Sequence, residues 1–78
     1  MQAAYENLVE EEDALLQKIC QCEECKWTIL DFCYKNNGNR EVGEAILTSI
    51  HAIEQDYRTE LLHLRLEKSL LAGKMRDE

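Results

Sequence analysis

The chain contains no proline, three glycines in 78 residues, and no apolar run approaching the roughly 20 residues a membrane-crossing helix needs. Without proline no helix interior is forced to break, and three glycines supply little of the backbone freedom that a turn-rich β domain uses. The N-terminal stretch MQAAYENLVEEED has neither the basic flank nor the apolar centre of a secretory signal. Basic residues are scarce as well: nine Lys and Arg stand against sixteen Asp and Glu, for a net charge of −7, with no Lys/Arg cluster. Such a surface repels nucleic-acid backbones and anionic membranes, so the expected partners are proteins, with no nucleic acid and no membrane among them. No nucleophile–base pair, phosphate-binding glycine loop or cofactor motif occurs, so neither enzymatic activity nor a cofactor is expected.

What the chain does have is helix-forming sequence, 45% hydrophobic and 32% charged residues, interrupted once. The interruption is Asn36-Asn37-Gly38-Asn39, where Gly38 suits the left-handed conformation that ends a helix and Asn39 can cap the next one. The expected fold is all-α: a long antiparallel hairpin of two helices of roughly 33 and 36 residues, about 50 Å long each, forming one domain over residues 1–78. A chain of this size gains little from its own core, and dimerisation into a four-helix bundle is the expected remedy. The chain ends at Met75-Arg76-Asp77-Glu78 with no helix stop signal, which also fits a piece of a longer coiled-coil protein.

At 100° per residue, Leu8, Leu15, Ile19, Cys22, Ile29 and Cys33 fall on one stripe of the first helix, and Glu12 and Lys26 interrupt it. Val9, Leu16, Cys20, Trp27, Leu30 and Tyr34 form a second stripe, and Cys25 and Phe32 widen the apolar arc to roughly 240°, more than one neighbouring helix covers. In the second helix the expected inward stripe is Ile46, Ile50, Ile53, Tyr57, Leu61, Leu64, Leu71 and Met75. Pairing about the turn then places Glu12 near Leu64 or Lys68, and a Glu12–Lys68 contact is expected. Leu62, Leu66 and Leu70 form a separate ridge. With Trp27 and Tyr34 as aromatic anchors, that ridge is the expected partner-binding surface, used in a homodimeric bundle or by an amphipathic helix of another protein. The expected hairpin or dimer core is Leu15, Ile19, Cys22, Ile29, Ile46, Ile50, Ile53, Tyr57, Leu61 and Leu64.

Cys20-x-Cys22-x-x-Cys25, with Cys33 beyond, invites a zinc or redox reading. On a regular helix, however, Cys20 and Cys22 lie 200° apart, and Cys33 is roughly 16 Å along the axis from Cys22. No metal site is expected. Four free thiols serving as small apolar core residues in a reducing compartment, cytoplasm or nucleus, is the expectation. His51 and His63 diverge by about 120° around the helix and are expected at the surface, as is a Glu54–Arg58 pair. The functional expectation is an adaptor or scaffold subunit that acts through helix packing and self-association. The alternative is a small thiol- or metal-responsive regulator using Cys20, Cys22 and Cys25.

Overall fold

The computed structural model describes residues 2–77 and contains two helices, α1 (Gln2–Asn36) and α2 (Arg40–Asp77). They pack antiparallel into a rod of 61 × 15 × 12 Å. Three residues make the reversal. Asn37 takes the left-handed conformation, φ 50°, and Gly38 N–H then donates to Cys33 O at 3.1 Å, satisfying a carbonyl that the end of α1 would otherwise leave open. Asn39 Oδ1 accepts from Val42 N–H at 3.2 Å and caps α2. The left-handed residue is therefore Asn37, whose short side chain tolerates that region, and not Gly38. Gly38 is required for space: a Cβ there would lie 2.9 Å from Cys33 Sγ and 3.1 Å from Cys33 Cα.

The seam between the helices follows strict three- and four-residue steps on both sides. On α1 it runs Tyr5, Leu8, Glu12, Leu15, Ile19, Cys22, Lys26, Ile29, Cys33. On α2 it runs Gly43, Leu47, Ile50, Glu54, Tyr57, Leu61, Leu64, Lys68, Leu71. Every one of these positions is buried or half-buried, the spacing of a two-helix coiled coil. Among the described residues only Leu15, Ile19, Leu61 and Leu64 are buried hydrophobics, with Leu8 and Tyr57 packed against them. Cys22, Ile29 and Ile50 are half-buried.

The α2 face differs from the sequence expectation by part of a turn. Ile46 and Ile53 stand outside the seam, 39% and 48% exposed, and Met75 is exposed at the open end. Leu47 and Glu54 occupy the seam instead. Adjacent apolar residues at 46 and 47 allow either phase. The charged positions decide between them, because the observed phase sets Glu54 opposite Lys26.

A rod of this shape keeps much of its surface wet. The accessible area is 6162 Å², whereas a compact monomer of 9.1 kDa exposes about 4,900 Å². The excess is larger than the ~800 Å² per partner that a standard protein interface covers.

Gly38→Ala tests the turn. The new methyl meets the Cys33 backbone, which cannot rotate away, so urea unfolding should show a loss of about 1–3 kcal/mol, the usual cost of overpacking. An unchanged midpoint would mean that the turn opens freely.

Candidate interaction site

Four charged residues occupy the seam, two on each helix, and they are arranged to match. Glu12 and Lys26 lie fourteen residues apart on α1, and Glu54 and Lys68 lie fourteen apart on α2. The antiparallel hairpin brings Lys68 Nζ to 2.7 Å from Glu12 Oε1 and Lys26 Nζ to 3.0 Å from Glu54 Oε1. The Glu12–Lys68 contact expected from the sequence is thus present. Sliding one helix by two heptads would set Glu12 against Glu54, so the charges favour the observed register.

Two arginines reinforce these layers from one flank. Arg58 donates to Glu54 Oε2 at 2.9 Å and reaches across the seam to Glu23 Oε1 at 2.8 Å. Arg65 donates to Glu12 Oε2 at 2.9 Å. Glu54, expected in a surface pair with Arg58, is in fact 4% exposed and is the one buried charged residue among those described. Lys26 Nζ lies 3.0 Å from Glu54 Oε1 and also donates to His51 Nδ1 at 3.1 Å. His51 is exposed, as is His63.

Contacts with Lys68 and Arg65 hold the Glu12 carboxyl below its ordinary value of 4.5. The Lys26 ammonium and the Arg58 guanidinium do the same for Glu54, against a burial effect that raises it. Glu12 in turn raises the Lys68 ammonium above its ordinary 10.5.

The two flanks of the seam differ in character. One carries the Glu23–Arg58 and Glu12–Arg65 bridges. The other, over the half of the rod next to the turn, carries no charge beside the seam, with Lys35 and Asp56 further out on the same side. Cys25 and Phe32 on α1 are seven residues apart and share that flank, as do Ile46 and Ile53 on α2. Phe32, Val42 and Ile46 line an apolar groove of about 320 Å³ above Cys33, Gly38 and Gly43. Cys25, Ile50 and Ile53 line its continuation toward Tyr57 and Lys18. Lys18 Nζ closes this stretch at 5.5 Å from the Tyr57 ring centre.

The sequence-derived binding residues lie elsewhere. Leu62, Leu66 and Leu70 are 60–66% exposed. Four-residue steps advance about 40° each around a helix, so the three cross the outer side of α2 obliquely. Trp27 is 72% and Tyr34 87% exposed. Trp27 lies about 200° around α1 from Cys25, so these aromatics and the uncharged flank face different directions. Phe32, Val42, Ile46 and Ile53 were not recognised as one surface from sequence. The available signal was the absence of charge at seven-residue spacing on both helices.

The thiols do not form a common core. Cys22 and Cys33 are half-buried in the seam, but Cys20 and Cys25 are exposed, which corrects the expectation that all four serve as core residues. The 200° between Cys20 and Cys22 makes that division unavoidable on a regular helix. Among the described residues no three His, Cys, Asp or Glu side chains converge as a metal site would require. None of the described helices is long and apolar enough to cross a membrane. No known protein family, characterised protein or solved structure matches the chain. What the molecule does must therefore be read from its surfaces.

The carboxylates also set a pH dependence. Because their folded values are lowered, Glu12 and Glu54 contribute their full stabilisation above pH 4.5, and it is lost as pH falls through those lower values. The raised Lys68 contributes below pH 10.5 and loses its contribution above. In urea unfolding the native chain should weaken on acidification below pH 4.5 more steeply than the Glu12→Gln/Glu54→Gln double variant. Parallel curves would show that the seam charges are not the groups responsible.

Proposed function

We propose that the chain is a protein–protein interaction module, an adaptor or scaffold subunit that works through helix packing and self-association. One observation carries this reading. Among the described residues the hairpin buries four large hydrophobics and leaves twelve others exposed, including Trp27, Phe32, Tyr34, Leu62, Leu66 and Leu70. Isolated exposed leucines are ordinary on monomeric proteins, but an apolar surface on several sides of a rod two helices thick is what an assembly interface provides. Leu62, Leu66 and Leu70 offer aliphatic contacts for a partner helix, and Trp27 and Tyr34 offer the amphipathic aromatics that anchor such contacts. The acidic balance favours a protein partner over a nucleic acid.

The exposed thiols of Cys20 and Cys25 favour a second reading, in which oxidation of these residues alters assembly. A change of molar mass between reduced and mildly oxidised protein would support it, and identical masses would remove it.

Light scattering behind size exclusion, in reductant and over a range of concentrations, tests the principal reading. The expected particle has twice the 9.1 kDa chain mass. A 9.1 kDa particle at every concentration would contradict self-association.

A further inference from the structure

We infer that the uncharged flank beside the turn, bearing Cys25, Phe32, Val42, Ile46 and Ile53, is the surface on which a second copy of this chain docks about a two-fold axis. The inference rests on the self-association reading and adds the face and the occupant.

Two observations select this face, and a third shows that the molecule has the area for an interface. First, the chain is 32% charged, yet the positions beside the seam, Cys25 and Phe32 on α1 and Ile46 and Ile53 on α2, are uncharged, and the charges Lys35 and Asp56 stand further out, seven residues from Thr28 and Ser49. Depletion of charge at the centre of a patch is the compositional mark of an interface. Second, the same patch holds both a projection and a receptacle. Phe32 and Val42 are 59% and 55% exposed, while the groove of about 320 Å³ beside them is shallow-walled because Gly38 and Gly43 contribute no side chain to its floor. A two-fold axis through the patch lets Phe32 of each copy enter the groove of the other, the self-complementarity that a symmetric dimer requires. Third, the accessible area left over, relative to the about 4,900 Å² of a compact chain of this mass, exceeds what one partner contributes to a stable interface.

Charge argues for a second copy at this face and against the opposite flank. Each chain carries −7, so two copies repel wherever charged surfaces meet, and the Glu23–Arg58 and Glu12–Arg65 bridges would have to be desolvated on the other side. Docking through the uncharged flank avoids that cost. Salt then strengthens the dimer by screening net repulsion, whereas an acidic surface bound to a basic partner is weakened by salt.

Mass and association constant would be measured for the wild type, Phe32→Asp, Ile53→Asp and Thr59→Asp, with helicity checked by circular dichroism. Because a two-fold axis presents each new carboxylate twice, Phe32→Asp and Ile53→Asp should weaken dimerisation at least about a hundredfold while staying helical. Thr59→Asp, exposed on the outer side of α2, should dimerise as the wild type does. The wild-type dimer should tighten as salt rises from about 50 to about 300 mM. A second readout needs no substitution: maleimide labelling of Cys25 should slow as protein concentration rises, while labelling of Cys20 should not.

Dimers that survive Phe32→Asp and Ile53→Asp, or that are lost in Thr59→Asp, would overturn the face and leave self-association standing. Dimers that weaken with salt, or equal protection of Cys20 and Cys25, would overturn it likewise. A wild type that is monomeric throughout would remove both this inference and the self-association reading.

Discussion

Two helices share one seam, and every apolar side chain placed off it faces water until another surface arrives. That geometric limit governs the rest of this molecule. In a larger bundle each helix is covered on two or three sides, but here, among the described residues, the contact line supports only a buried centre of Leu15, Ile19, Leu61 and Leu64. The composition, 45% hydrophobic, is that of a chain with more to bury than a rod of 61 × 15 × 12 Å can accommodate. The surplus is spread over several faces, so a single contact does not exhaust it. The proposed self-association would use one of these faces and leave Leu62, Leu66 and Leu70 on another.

Within the seam, charge supplies what so small a core cannot: a unique register. An apolar heptad pattern alone would tolerate sliding of α2 along α1. Glu12 with Lys68 and Lys26 with Glu54 make one alignment better than its neighbours, at the expense of placing a nearly buried carboxylate in Glu54. Arg58 and Arg65 close the same flank, which leaves the other flank free of any need for charge. The asymmetry between a bridged side and a bare side follows from where those two arginines stand.

Much of this was legible in the residues. Absence of proline and one Asn-Gly cluster fixed the number of helices and the place of the reversal, and the α1 stripe from Leu8 to Cys33 is the observed seam face. The α2 phase was not legible from hydrophobicity, because Ile46 and Leu47 are adjacent and Ile53 competes with a glutamate for the inward position. A physical signal was nevertheless present. Lys26 interrupts an apolar stripe and needs a carboxylate opposite it, and the pairing that joins Glu12 to Lys68 also joins Lys26 to Glu54. Charge complementarity inside the seam was the better guide to phase. The left-handed residue was misassigned because glycine is the usual choice there, and the close approach of Cys33 claims Gly38 for another purpose.

The central claim is that the hairpin completes its core only by association. Dependence of the thermal midpoint on protein concentration tests it most directly, since unfolding coupled to dissociation shifts with concentration by mass action. Across a range of about 2 to about 200 µM, in reductant, the midpoint should rise steadily with concentration. A midpoint that stays constant across that range would mean that the monomer accounts for all the stability there is, and would contradict the claim.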